Sequence, residues 1–231
     1  MRCDFVRHGK PTYTDEDLFS EAVEGDLTPE GVSQVEVLAA SILAGFEKDG
    51  EIMIIWSSPK RRALQTADVI WSAFDKAGIR IRKPKVVWSL RDVILTGEAY
   101  AEIPEEGKSK SWMEYWASVV GLPIGMELPR SLRRRVMRVV ANLERLARKA
   151  NSDSKKRVRV LCITHEEMMR DILEEAYGTG TELGTGPTYG ELLKVEIEPD
   201  EKGAAATLSL VFRHQNARLL LNLETREIRR L

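Results

Sequence analysis

Two of the chain's three histidines stand where they could do chemistry. His8 follows the apolar stretch Cys3-Asp4-Phe5-Val6, with Arg7 before it and Gly9 after it. His165 follows Leu161-Cys162-Ile163-Thr164. A third run, Ile52-Met53-Ile54-Ile55-Trp56, ends in Ser57-Ser58, with Arg62 just beyond. Short continuous apolar runs mark strands buried on both faces. In open α/β sheets ligands bind at the carboxyl ends of the strands. These three ends would therefore bring two imidazoles and two guanidiniums around one pocket. That set suits a phosphoryl group. Arginine offers a rigid fork matched to phosphate oxygens, and imidazole can attack phosphorus and carry the group. We read His8 as a nucleophile toward phosphorus. No metal is expected, because adjacent arginines repel a divalent cation.

The elements that must hold these residues alternate. Residues 2–6 read as a strand, and residues 10–26 as a polar loop. Thr28 and Pro29 then open a helix as N-cap and first helical residue. Its apolar positions, Val32, Val35, Leu38, Ala39, Ile42, Leu43 and Phe46, recur at helical spacing. A strand at 52–56, a helix at about 60–76 and a weaker strand at Val86-Val87-Trp88 follow. This order predicts a three-layer α/β/α sandwich on a mostly parallel sheet. Glycines and prolines break the rhythm over about 97–130, which reads as a small cap-like insertion with Trp112, Met113, Tyr115 and Trp116 as its aromatic cluster. It is too short for a core of its own, so residues 1–231 read as one domain. Ser131 is expected to cap a helix over about 132–149. A strand over 158–163, a helix over 167–177 and strands at 192–197 and 208–212 complete the reading.

Composition narrows the function classes. A charge of −1 gives no overall attraction to nucleic acid or to an anionic membrane. No apolar run approaches the roughly 20 residues that a membrane helix needs. The N-terminus lacks a signal-peptide pattern, being interrupted by Asp4, Arg7, His8 and Lys10. Cys3 and Cys162 both fall in expected strands and read as reduced core thiols, which fits a cytoplasmic protein. The basic run Arg133-Arg134-Arg135, with Arg138, Arg145 and Arg148, reads as a solvated helix face. Arg61 and Lys60 read as solvated too. The Gly/Thr-rich stretch from Gly178 to Gly186 lacks the Lys-Ser/Thr of a P-loop and reads as a loop at the pocket mouth.

Four motifs in order then carry a resemblance. Phe5-Val6-Arg7-His8-Gly9-Lys10-Pro11 resembles the signature of the histidine phosphatase superfamily, which includes phosphoglycerate mutases. Leu27-Thr28-Pro29-Glu30-Gly31-Val32-Ser33-Gln34 resembles its Leu-Thr-x-x-Gly-x-x-Gln segment. Ser57-Ser58-Pro59-Lys60-Arg61-Arg62-Ala63-Leu64-Gln65-Thr66-Ala67 resembles its second arginine motif, and Leu161-Cys162-Ile163-Thr164-His165 its second-histidine strand. Leu90-Arg91-Asp92 falls where the family carries its acid. The resemblance implies that His8 attacks phosphorus while Arg7, Arg62 and His165 hold the phosphoryl oxygens. It implies that Asp92 protonates the leaving oxygen and then activates water, with Glu98 as the fallback. It implies no cofactor and a small phosphorylated substrate. Attack requires a neutral His8, and the flanking arginines lower its pKa.

The sequence departs from the family's pattern in three places. The acid is Asp92, one methylene shorter than the usual Glu. Where relatives carry an Asn after Arg-His-Gly, this chain has Pro11-Thr12-Tyr13-Thr14, so Thr12 or Thr14 is the candidate for that contact. Glu166 and Glu167 replace the Gly that usually follows the second histidine. If the Glu166 amide approaches the phosphate, its carboxylate must point away. Two acids there would oppose phosphate binding or raise the pKa of His165. Metal-independent hydrolysis of a phosphomonoester through a phosphohistidine is the leading reading. A phosphoglycerate mutase and a non-catalytic phospho-ligand-binding module are the alternatives.

Overall fold

The apolar run at the N-terminus becomes a central strand because both of its faces are covered. In the computed structural model, which describes residues 1–12, 25–103, 116, 123–153, 156–178 and 186–231, the strands are β1 (Arg2–Arg7), β2 (Glu51–Ser57), β3 (Lys85–Val86), β4 (Arg157–Thr164), β5 (Leu192–Pro199), β6 (Ala205–Phe212), β7 (Gln215–Asn222) and β8 (Ile228–Arg230). They form one sheet in the order β3-β2-β4-β1-β5-β6-β7-β8. The helices are α1 (Pro29–Ala44), α2 (Arg61–Lys76), α3 (Gly97–Ala101), α4 (Pro129–Asp153) and α5 (Glu166–Tyr177).

Alternate residues of the central strands feed two cores. Val6, Met53, Ile55, Leu161 and Ile163 pack with α1 and α2 on one face. Cys3, Phe5, Val160 and Cys162 pack with α4 and α5 on the other. The result is a mixed α/β fold with a central sheet flanked by helices. The expectation of a mostly parallel sheet does not hold. Only β3-β2, β2-β4 and β4-β1 are parallel pairs. From β5 onward every pairing is antiparallel. The strands show why: β5 alternates buried and solvent-facing residues, as a sheet covered on one face does.

Two of these strands, β7 and β8, lie in residues 213–231, which the sequence reading leaves unassigned. The β6–β7 hairpin turns through Arg213-His214, with Arg213 at φ 53° and no glycine to announce the turn. Other boundaries also move. Helix α4 starts at Pro129, a position that proline favours, so Ser131 lies inside it rather than capping it. The weak strand at 86–88 resolves into β3 and a 3₁₀ turn, Trp88–Leu90. Most of the expected insertion, including Trp112, Met113 and Tyr115, lies outside the described residues. Trp116 is buried in the α4/α5-side core, where its Nε1 donates to Glu127 O at 2.7 Å. Cys3 and Cys162 are buried and free, with Sγ atoms 3.8 Å apart. Among the described residues no helix is long and apolar enough to cross a membrane.

Candidate active site

The site forms where β1, β4 and β2, neighbours in the sheet, reach their carboxyl ends. The loop after β1 is held from three sides. His8 N donates to Thr164 O at 3.1 Å, and Gly9 N donates to Thr66 Oγ1 at 3.1 Å. Thr28 caps α1 by accepting from Gly31 N at 2.9 Å, and its hydroxyl donates to Lys10 O at 3.1 Å. Lys10 N donates to Gln34 Oε1 at 3.3 Å. The Leu-Thr-x-x-Gly-x-x-Gln motif is thus a brace for the loop that carries His8. Its glycine is required by space: a Cβ on Gly31 would lie 2.2 Å from Lys10 O.

Arg62 is the hub. It is buried on the first turn of α2 and donates three ways. Nε reaches His8 Nε2 at 3.1 Å, and Nη2 reaches Asp92 Oδ2 at 2.6 Å and His165 Nδ1 at 3.1 Å. An arginine only donates, so these contacts assign both imidazole tautomers. His8 carries its proton on Nδ1 and gives it to Gly9 O at 2.8 Å. His8 Nε2 keeps a lone pair facing the guanidinium. His165 carries its proton on Nε2 and gives it to Ser58 Oγ at 2.8 Å. The two rings meet edge to face, with centroids 5.0 Å apart.

Both imidazoles are held neutral. Burial is the largest cause and pushes His8 well below the usual histidine range, with Arg62 and then Arg7 adding to it and the Gly9 carbonyl opposing. Burial, then Arg62, do the same to His165, helped by His8, Lys60 and Arg135. The expected upward tuning of His165 by the glutamates is therefore corrected; desolvation and cations win.

Arg7 sits on the other side of His8. Its Nη1 donates to Pro187 O at 2.6 Å, and its guanidinium lies 4.0 Å above the Tyr189 ring. Its Nε is buried with no hydrogen-bond partner among the described residues. The stretch from Gly186 to Gly190, part of the Gly/Thr-rich loop and its continuation, thus packs against this arginine. Residues 179–185 lie outside the described residues, as do Tyr13 and Thr14. Glu166 does not point away from the pocket. Its Oε2 pairs with Arg7 Nη1 at 2.6 Å and its Oε1 with Arg170 Nε at 2.6 Å. Glu167 is buried, and its Oε2 has no hydrogen-bond partner among the described residues.

Asp92 reaches the site through Arg62, with Lys60 3.8 Å away. Its backbone is clamped by an arginine assigned above to a solvated face. Arg135 is buried and donates to the carbonyls of Ser89 at 3.1 Å, Arg91 at 2.5 Å and Asp92 at 3.0 Å. Glu127 balances its charge at 2.6 Å. Arg133 and Arg148 are also tied down, to Asp171 and Glu175 and to Glu144 and Asp200. Only Arg134, Arg138 and Arg145 are exposed as expected. Arg61 is exposed and pairs with Asp26. Glu98 is exposed on α3.

The profile of the histidine phosphatase superfamily (branch 1) matches residues 4–207. The chain belongs to this superfamily. Over 224 residues, 95% of this chain and 97% of the relative, it is 25% identical to a 2,3-bisphosphoglycerate-dependent phosphoglycerate mutase of Thermoplasma acidophilum. Over 66 residues it is 38% identical to a candidate phosphoserine phosphatase 2 of Hydrogenobacter thermophilus, a match that spans only 30% of that relative's length. The fold is shared with a mycobacterial glucosyl-3-phosphoglycerate phosphatase at a TM-score of 0.64 and 17% identity, over 92% of this chain and 98% of that one. In this member of the superfamily, the Arg-His-Gly residues, Arg62, Asp92 and His165 come together at one end of the parallel strands. Ser58, from the second arginine motif, joins them at His165, and Arg135, Pro187 and Tyr189, which lie outside the four motifs, complete their surroundings.

Proposed function

We propose that the chain hydrolyses small phosphomonoesters by way of a phosphohistidine on His8. The observation that carries this reading is the tautomer of His8. Its Nδ1 proton is tied to Gly9 O, so Nε2 holds a lone pair in a buried, cationic pocket. In this reading Nε2 attacks phosphorus and the bond to the leaving oxygen breaks. Arg62, Arg7 and the Nε2–H of His165 neutralise the oxygens as charge develops. For this, Arg62 trades its contact with His8 for the phosphoryl group, and His165 releases Ser58. Two carboxyls adjoin the pocket to handle the leaving group's proton, Asp92 and Glu167. Water then attacks the phosphohistidine and frees phosphate. No step requires a metal. The domain organisation belongs to the same proposal: one unit over 1–231, with residues 97–130 as the insertion that selects the alcohol.

A phosphoglycerate mutase is the second reading, and the near-full-length mutase relative favours it. A module that binds phosphorylated ligands without turnover is the third. Hydrolysis of 4-nitrophenyl phosphate in the presence of EDTA, with an acid-labile phosphoenzyme, is the expected result. His8→Ala abolishes both. Retained turnover in His8→Ala would remove the nucleophile assignment. Interconversion of phosphoglycerates faster than phosphate release would select the mutase, and phosphate binding without a phosphoenzyme would select the binding module.

A further inference from the structure

The usual glycine after the second histidine is replaced by two glutamates, and the two do different things. Glu166 is neutralised between Arg7 and Arg170. Glu167 makes no ion pair among the described residues, and only its own backbone N–H reaches its carboxyl. It occupies the first turn of α5, two residues after His165, and is 8% exposed. One of its carboxyl oxygens, Oε2, is buried without a hydrogen-bond partner among the described residues. A buried polar group without a partner calls for an explanation, since leaving one unmade costs about 1–3 kcal/mol. The charged groups that face it are Asp92 from the segment before α3, Glu166 from its own helix and Arg7 from β1.

Asp92 is already engaged with cations. Its Oδ2 already accepts from Arg62 at 2.6 Å and lies 3.8 Å from Lys60. Its shorter side chain leaves it anchored on the guanidinium. We propose that Glu167, not Asp92, is the carboxyl that protonates the leaving oxygen. Asp92 instead positions Arg62. Burial, and next the charge of Asp92, push the Glu167 carboxyl up to about 7, so it is available in its protonated form near neutral pH.

The step balances. The His8 Nε2 lone pair forms the P–N bond while the P–O bond to the alcohol breaks, and the leaving oxygen takes the Glu167 proton. A water then bonds to phosphorus and returns a proton to the Glu167 carboxylate. The P–N bond breaks, and His8 recovers its lone pair.

This inference rests on the phosphatase reading, and leaving-group chemistry separates the two. Phosphoenzyme formation is measured with 2,4-dinitrophenyl phosphate, whose leaving group needs no proton, and with phenyl phosphate, whose leaving group does. Glu167→Gln, which keeps the side chain's shape, is expected to slow the phenyl ester by about 100-fold or more and the dinitrophenyl ester by about threefold or less. Glu167→Asp is expected to fall between, as a check that does not depend on one variant's folding. Asp92→Asn is expected to slow both esters alike. A selective loss with Asp92→Asn, or equal effects on both esters with Glu167→Gln, would overturn the assignment. A wild-type protein that forms no phosphoenzyme even with the dinitrophenyl ester would instead sink the phosphatase reading beneath it.

Discussion

Glu166 Oε2 lies 2.6 Å from Arg7 Nη1, on the guanidinium that the superfamily signature assigns to phosphate. A carboxylate is thus held where an incoming phosphoryl group also seeks a partner. Replacing Glu166 by glycine frees Arg7 and removes a negative charge from the mouth of the pocket. Inhibition by inorganic phosphate is expected to tighten about tenfold, equivalent to about 1.4 kcal/mol. A weaker or unchanged inhibition constant would mean that Glu166 orients Arg7 rather than competing for it.

Arg135 joins stability to catalysis. It is buried, paired with Glu127, and clamps the carbonyls of Ser89, Arg91 and Asp92. Arg135→Met leaves Glu127 as an uncompensated buried charge, which costs about 3–5 kcal/mol in urea unfolding. Adding Glu127→Leu should restore most of that stability. Turnover should stay low in the double variant, because the carbonyls of Ser89, Arg91 and Asp92 remain without their donor. Full recovery of turnover would show that the clamp does not position Asp92.

The buried Glu167 also leaves a mark on stability. Its carboxyl is raised to about 7 in the folded chain, against about 4.3 for a free glutamate. Between those values the folded state holds a proton that the unfolded state has released, so stability contributed by this group falls as pH rises. Glu167→Gln removes the effect. Relative to wild type, the variant is expected to gain stability on going from pH 5 to pH 8 in urea titrations. The two histidines act in the opposite sense. Their folded pKa values are depressed, so their contribution is complete above the free histidine value near 6.5 and is lost as pH falls below it. A wild-type-like pH slope in Glu167→Gln would contradict a raised carboxyl.

The parts that the sequence makes legible are those with local physical signals. Strands β1 and β4 are buried on both faces and, like β2, whose Ile52 is exposed, read as apolar runs, and Thr28-Pro29 announces α1. The gathering of Arg7, His8, Arg62 and His165 follows from those strand ends. What is not legible depends on distant partners. Nothing near Arg135 says that it will meet carbonyls more than 40 residues away, so its solvated-face reading is natural and incorrect. The direction of Glu166 depends likewise on two arginines, one of them on β1. Strand β7 buries Ala217, Leu219 and Leu221, but Leu220 blurs the alternation and the turn before it lacks glycine.

The place of β1 in the sheet has a consequence for synthesis. β1 is flanked by β4 and β5, strands made later, which begin at residues 157 and 192. At roughly 5–20 residues per second, Cys3, Phe5 and Val6 wait many seconds on the ribosome without either neighbour. Asp4 keeps a charge in the middle of that waiting segment, which discourages premature pairing with other chains. When β4 arrives, Arg159 meets Asp4 at 2.8 Å in the interior. The charge that protects the nascent strand then becomes a register mark, and the pocket built on His8 cannot exist before that meeting.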